Sequence, residues 1–194
     1  MHGGYVDAET EAEEVCEFAS DYIPGLLQTE AYTRAVFEAS GAQRTQQQLE
    51  KDVALRMARQ RRLSDADNPL SLVAVLDEAV LVRDYGGDEV MRAQLLRLVE
   101  AAKLPTVTLY VRPFRGRPRV SVGGSMTLLT FSLPEDPDML FVDYVVGSLH
   151  REDEPDQHYV RDARIKFGRL RENALQPAES VAYIERLAAE IYAP

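Results

Sequence analysis

The chain has 194 residues, of which 45% are hydrophobic and 28% are charged, and its formal net charge is −10. This length is typical of one globular domain with a sizeable core. The acidic balance argues against a protein whose whole surface binds the phosphates of nucleic acid, because like charges repel.

Cysteine and histidine are too few to form a disulfide or a common metal site. Cys16 is the single cysteine, and the histidines His2, His150 and His158 lack the HxxxH spacing of a metal motif. We therefore predict no metal, no other cofactor and a cytoplasmic, reducing environment. No apolar run approaches the roughly 20 residues that cross a bilayer, and the amino terminus lacks the basic and apolar regions of a signal peptide, so no membrane partner is expected.

The first 66 residues predict a helical sub-lobe of three helices. Residues 6–22 are rich in glutamate and alanine and predict one helix that ends before Pro24-Gly25. A second helix is expected after Thr29, a favourable N-cap, and a third from about 45 to 63. The polar segment 64–69 separates this sub-lobe from residues 67–194 within a single domain of residues 1–194.

The remainder of the chain predicts a sheet with flanking helices. Short apolar or alternating runs are typical of strands, and longer runs with helical periodicity are typical of helices. We predict strands at 70–76, 106–114, 125–133 and 139–152, a crossover helix within 86–105, and final helices at 155–173 and 177–192. The predicted fold is therefore α+β, with a mostly antiparallel sheet of about four strands.

Few residues suggest chemistry by their spacing alone. The glycine pairs 86–87 and 123–124 belong to no phosphate-binding motif, and no GxSxG nucleophile motif is present. Asp77 and Glu78 are either an acid–base pair or the cap and first residue of a short helix, and we favour the cap. The arginines of segment 112–120 either hold an anion or lie on a solvated hairpin, and we favour the hairpin. Cys16 is expected to be a small core residue.

Five blocks of sequence resemble a known bacterial domain. YIPGLLQTEAYTRAVFEA (22–39) resembles the signature at the head of a domain of poorly defined function that follows the helix-turn-helix of Xre-type, antitoxin-like transcriptional regulators. RMARQRRL (56–63) is similar to the arginine-rich helix of that family, and residues 72–114 to its central block. GGSMTLLTF (123–131) and ALQPAESVAYIERLA (174–188) are similar to its next strand and its final helix.

The position of the signature departs from the family pattern. Regulators of this family carry a DNA-binding unit in roughly the first third of the chain, whereas the signature here begins near residue 22. We therefore expect no direct nucleic-acid binding by this chain. In a complete regulator the Pro24-Gly25 elbow would follow the DNA-binding unit. Pro24 fixes its φ and Gly25 is expected to permit a tight bend, so the elbow is either a rigid connection or a simple helix–helix corner.

The resemblance implies an effector domain that binds a small molecule or a small partner protein. The polar residues of the matched blocks that we expect to make the contacts are Gln28, Arg59, Glu78, Arg83 and Arg112. One alternative is an antitoxin-like protein that covers a partner's surface.

Another alternative is a cofactor-free cyclase or isomerase of natural-product biosynthesis, with Glu78 or Asp143 as its acid. Apolar and aromatic residues on both faces of the last helix, Tyr183 and Tyr192 against Ile184 and Ile191, also suggest a homodimer.

Overall fold

A computed structural model describes residues 4–116, 120–133, 136–144, 147–151 and 157–190. For residues 143–144 and 147–151 it describes the backbone. The helices are α1 Tyr5–Glu11, α2 Glu30–Ala39, α3 Gln46–Arg59, α4 Glu78–Val82, α5 Asp88–Ala101, α6 Gln157–Glu172 and α7 Pro177–Glu190. The strands are β1 Glu14–Ala19, β2 Ser71–Asp77, β3 Val107–Arg112, β4 Met126–Thr130, β5 Met139–Tyr144 and β6 Gly147–Arg151. Short 3-10 turns cover Gly25–Leu27 and Gln60–Ser64.

The described strands form one mixed sheet in the order β3-β2-β1-β4-β5-β6. β1 pairs in parallel with β2, and β2 with β3, whereas β4, β5 and β6 continue from β1 as an antiparallel series. The α+β class is confirmed, and most neighbouring pairs within the described residues are antiparallel as predicted. The sheet has six strands rather than about four.

The predicted helix at 6–22 is wrong beyond its first turns. α1 ends at Glu11, and residues 14–19 form β1 between β2 and β4, near the middle of the sheet. Val15 and Ala19 face one core while Cys16 and Phe18 face the other, so both faces of the strand are covered. Partners on both sides outweigh the helical preference of a segment rich in glutamate and alanine. The predicted strand 139–152 is likewise two strands, β5 and β6.

Several local predictions are confirmed. Thr29 caps α2 by accepting a hydrogen bond from the Tyr32 amide, and α3 begins directly after Thr45, close to the expected start. Asp77 caps α4 through a 3.1 Å hydrogen bond from the Ala79 amide, as favoured from the sequence.

Hydrophobic cores lie on both faces of the sheet. The larger core joins one face to residues of α1, α2, α5 and α7 and to Leu26 and Leu27 of the first 3-10 turn. The other core packs the opposite face against α6, with Cys16 and Phe18 meeting Phe167 and Leu170. Residues from both sides of the segment 64–69 contribute to the larger core. The division into two sub-lobes stays a prediction.

Candidate functional site

The segment 21–29, which we call the elbow, is fixed by side chains from several elements. Gln94 of α5 donates to the Leu27 carbonyl at 2.9 Å and accepts from the Thr29 amide at 2.7 Å. Gln60 donates to the carbonyls of Gly25 and Gln28 at 2.9 and 2.8 Å. These bonds satisfy backbone groups that a turn leaves without secondary-structure partners, so the elbow is held in one shape.

The expected role of Gly25 in the bend is wrong. Its φ is not among the positive values found for other glycines, so the backbone at this position suits any L-residue. Pro24, with φ −47° and ψ 137°, precedes the 3-10 turn and sets the change of direction. A Cβ on Gly25 would lie 3.5 Å from Nε of Arg56, which is ordinary contact. Because Gly25 has no side chain, the space next to the Arg56 side chain stays empty.

A cavity of about 180 Å³ lies beneath the elbow, and we call it the elbow pocket. The elbow, α1, α3 and the strands β1, β4 and β5 contribute its walls. The lining residues are Tyr5, Glu17, Tyr22, Gly25, Leu26, Arg56, Arg59, Thr127 and Phe141. The pocket thus combines charged side chains, hydroxyl groups and an apolar wall.

A row of three side chains across the sheet forms the floor of the elbow pocket. Glu17 of β1 lies opposite Thr127 of β4, and Thr127 lies opposite Phe141 of β5. Opposed residues of antiparallel strands point to the same face, so these three side chains are neighbours. Glu17 places a carboxylate in a strand with neighbours on both edges, where apolar residues are the rule. A charge in such a position is typical of a functional site.

α1 closes one side of the elbow pocket. Arg59 of α3 forms a bidentate ion pair with Glu9 of α1, with distances of 2.7 Å from Nε and 2.5 Å from a terminal nitrogen. The Glu9 side chain is 3% exposed and that of Arg59 is 15% exposed. Tyr5 of α1 contacts Phe141 edge to face, with ring centroids 5.1 Å apart, and Arg59 lies 5.3 Å above the Tyr5 ring. The charge of Arg59 is therefore largely matched within the protein.

Arg56 differs from Arg59 in its partners. Its guanidinium donates to Oε1 of Gln28 at 2.9 Å and lies 4.3 Å above the Phe37 ring. Its Nε is buried without a hydrogen-bond partner, and within the described part of the chain it forms no ion pair with a carboxylate. Arg56 as a whole is partly buried, and a partly buried cation without an ion pair keeps part of the desolvation cost, so its presence calls for an explanation.

Burial and neighbouring charges shift the pKa values of groups around the pocket. Burial, followed by the charge of Arg59, lowers the pKa of Arg56. Burial also acts to lower the pKa of Arg59, but the hydrogen bonds and charge of Glu9 raise it above its usual value. Burial and the carboxylates of Glu9 and Glu17 raise the pKa of Tyr5, which keeps its hydroxyl protonated at neutral pH. Arg56 is thus the cation in the pocket that is least compensated by the protein.

Comparison with known families assigns the chain to a family. Residues 3–186 match the family described as "Domain of unknown function (DUF5753)". The chain belongs to this family. A search of curated proteins found no match. The match covers the described helices and strands from α1 to α6 and all of α7 but its last turn, so the elbow pocket lies wholly within the DUF5753 domain.

Three of the predicted contact residues of this DUF5753 domain lie at or near the elbow. Arg59 lines the pocket directly. Gln28, which is 1% exposed, lies behind Arg56 and holds its guanidinium while donating to the Ile23 carbonyl at 2.7 Å. Arg83 donates to the Asp21 carbonyl at 2.9 Å, on the outer side of the elbow. Gln28 and Arg83 therefore position the elbow and Arg56 and do not line the pocket.

Two further predicted residues of the DUF5753 domain, Glu78 and Arg112, lie apart from the pocket. Glu78 accepts a hydrogen bond from the Phe114 amide at 2.6 Å. Arg112 lies 3.7 Å from Asp77, with its side chain 12% exposed. The backbone of Asp143 belongs to β5, and its side chain lies outside the described residues. The fold therefore does not bring Glu78 and Arg112 into the pocket with Arg59.

Sequence reasoning missed the two most informative residues of the pocket. The predicted helix over residues 6–22 included Glu17, whereas its position on a central strand depends on pairing with β2 and β4. Arg56 lies three residues before Arg59 in the same arginine-rich block, on the same side of α3. That helical spacing was the available signal for Arg56.

The described side chains of the site offer binding groups. Within the described ranges, no group of three or more His, Cys, Asp or Glu side chains has the arrangement of a metal site. Likewise, none of the helices in those ranges combines the length and apolarity needed to cross a bilayer. Arginine, tyrosine, threonine and glutamate side chains around a small apolar wall are suited to hold a small polar molecule.

Proposed function

We propose that this chain is an effector-binding domain that captures a small molecule with an anionic group in the elbow pocket. The observation that carries the proposal is Arg56: its cation lines a cavity, its Nε has no partner, and it lacks an ion pair within the described part of the chain. A carboxylate or similar anion would accept hydrogen bonds from the guanidinium and remove the cost of its burial. Among the sequence-based alternatives, a small molecule fits this cavity better than a protein surface does.

We further propose that the domain serves a transcriptional regulator of the Xre helix-turn-helix type. Membership of the DUF5753 family and the five matching blocks support this assignment. In such a regulator the signal would leave the pocket through α1. A ligand on Arg59 or Tyr5 would act on α1 directly, because Arg59 pairs with Glu9 and Tyr5 belongs to that helix. The side chains that line the pocket would then also hold α1, the helix through which the signal leaves the domain.

The enzymatic alternative receives no support from the pocket. Its proposed acid Glu78 does not line the elbow pocket and accepts a backbone hydrogen bond instead. The side chain of Asp143 lies outside the described residues.

The homodimer also stays a prediction. The guanidinium of Arg186 lies 4.8 Å from the centroid of the Tyr183 ring within the same chain, and residues 191–194 lie outside the described residues.

A thermal-shift screen tests the binding proposal. Sets of small carboxylates, amino acids, amines and neutral alcohols are each added to the wild-type protein and to Arg56→Met. At least one compound with an anionic group should raise the melting temperature of the wild type and leave the variant unchanged. Arg92→Met is the matched control, because Arg92 is exposed on α5, outside the pocket, and this variant should respond like the wild type. The proposal fails if no compound acts, or if compounds act equally on wild type and Arg56→Met.

A further inference from the structure

We infer that α1 is a releasable element: residues 5–12 detach by local opening while the sheet stays folded, and a ligand in the elbow pocket locks α1 in its docked position. This inference rests on the proposed function and specifies how binding acts on α1. Tyr5 of α1 lines the cavity, and so does Arg59, which pairs with Glu9 of α1. A change in the position of α1 therefore changes the pocket itself.

α1 owes its helical form to the rest of the domain. It has seven residues, whereas isolated helices shorter than about 12–15 residues are marginal in water. Its N-cap is Gly4 and its C-cap is Ala12, and neither residue has a side chain that caps a helix. The apolar groups that α1 and its C-cap contribute to the larger core are the Tyr5 ring and two alanines, Ala8 and Ala12. Apolar burial alone thus gives this segment a modest hold on the body.

Polar contacts from two arginines add to this hold. Arg62 donates to the carbonyls of Glu9 and Ala12 at 2.7 and 2.9 Å, at the end of the helix where carbonyls lack partners. Nε of Arg62 is buried without a hydrogen-bond partner, and the Glu9 carboxylate is buried in its pair with Arg59. Water replaces such polar contacts when α1 detaches, and the buried groups regain their hydration. Opening of α1 therefore costs less than unfolding of the sheet.

The backbone sets a limit to the opening at residue 13. The Glu13 amide donates to the Thr130 carbonyl at 2.8 Å, and the Glu13 carbonyl accepts from the Ser71 amide at 3.0 Å. These bonds tie residue 13 to the neighbouring strands on both sides, β4 and β2. Residues 5–12 can therefore move without breaking the pairing of β1.

The geometry favours locking of α1 by a ligand over its displacement. Glu9 already accepts from Nε and a terminal nitrogen of Arg59, and it belongs to the same chain, so a free anion competes poorly for these donors. The wall that Tyr5 supplies exists in the cavity only while α1 is docked. A ligand thus gains contacts in the docked state, and this difference in affinity shifts α1 toward that state.

Native-state hydrogen exchange of the full chain tests the local opening. The reporters are the amides of Ala8 and Ala12, which donate to the carbonyls of Gly4 and Ala8 within α1. We expect them to exchange at least about hundredfold faster than the hydrogen-bonded amides of β2, at a rate that barely changes with urea below the unfolding transition. Exchange of both sets at one rate and with one urea dependence would overturn the inference, because α1 would then open only with the whole domain.

Substitution of Glu9 tests the contact that holds α1. Glu9→Gln keeps the shape of the side chain and removes the charge that pairs with Arg59, so exchange of the Ala8 and Ala12 amides should become at least about tenfold faster. Asp7→Asn is the matched control, because Asp7 is exposed on the same helix, and its effect should be much smaller. An unchanged rate in Glu9→Gln, or an equal acceleration in β2, would overturn the inference, since α1 would not be a separate element.

The carboxylate that gives the largest shift in the thermal-shift screen is the probe for locking. If only docked molecules bind, a concentration ten times its dissociation constant should slow exchange of the Ala8 and Ala12 amides by about tenfold. An unchanged rate would show that binding does not need α1, and a faster rate would show that the carboxylate displaces Glu9. Either result overturns the inference.

The outcomes separate this inference from the proposed function. Arg56-dependent binding that leaves exchange in α1 unchanged overturns the locking and leaves the effector pocket standing. No binding by any compound of the screen overturns the proposed function and the inference that rests on it.

Discussion

Replacing Arg56 by methionine tests whether this arginine is kept for a ligand and not for stability. The variant loses a charge-assisted hydrogen bond to Gln28, worth about 1.5–3 kcal/mol, and a cation–π contact with Phe37, worth about 0.5–2 kcal/mol. It also removes a buried Nε without a partner, which costs about 1–3 kcal/mol. Because Arg56 as a whole is only partly buried, the variant further removes only part of the several kcal/mol that desolvation of a buried ion costs. We therefore expect a net change between about 1 kcal/mol of destabilisation and about 3 kcal/mol of stabilisation.

Arg59→Met is the matched control from the same helix. It leaves the carboxylate of Glu9, which is 3% exposed, buried without its cation, and should cost about 3–5 kcal/mol. For a domain of this size the melting temperature should fall by roughly 6–20 °C in Arg59→Met and by less than about 4 °C in Arg56→Met. Calorimetric unfolding of both variants without ligand measures the difference. Equal destabilisation of the two variants would refute the reasoning, because Arg56 would then be a structural residue.

Three further predictions concern the elbow and the core. Gln94→Leu should lower the free energy of unfolding in urea by about 2–6 kcal/mol, because two elbow backbone groups lose their hydrogen-bond partners. The exposed Gln46→Leu is the control and should stay within about 0.5 kcal/mol of wild type. Similar values for the two variants would contradict the role of Gln94 in holding the elbow. Gly25→Ala should keep the stability of the wild type and weaken ligand binding, since its methyl group would lie 3.5 Å from Nε of Arg56 in the pocket; unchanged binding would argue that the pocket is not the site. Burial, followed by the charge of Glu14, raises the pKa of Cys16 to about 12, so native protein at pH 8 should resist iodoacetamide until it unfolds, and rapid labelling of the native state would show this environment to be wrong.

Local signals in the sequence predicted much of the fold. The N-caps at Thr29 and Asp77 depend on residues within the first turn of each helix, and such short-range chemistry can be recognised without a structure. The strand at 70–76 and the helix ending before Pro105 follow from periodicity in the same way.

The position of β1 could not be obtained by the same means. Its residues alternate between two cores only because β2 and β4 lie on either side, and β4 is more than one hundred residues away along the chain. Because the sequence placed Glu17 on a helix, it could not predict the row of side chains on the sheet that forms the floor of the pocket. Arg59 was found because its block resembled a known family, whereas the difference between Arg59 and Arg56 lies in Glu9, which reaches only one of them.

The most direct test of the central claim is nuclear magnetic resonance of protein labelled with ¹⁵N-arginine. The Nε–H signal of Arg56, assigned by its absence in Arg56→Met, is followed during titration with the compound that gives the largest thermal shift. We predict that this signal moves and saturates at the midpoint measured by calorimetry, while the signal of the exposed Arg92 stays in place. Saturation of the ligand with an unchanged Arg56 signal would contradict the account.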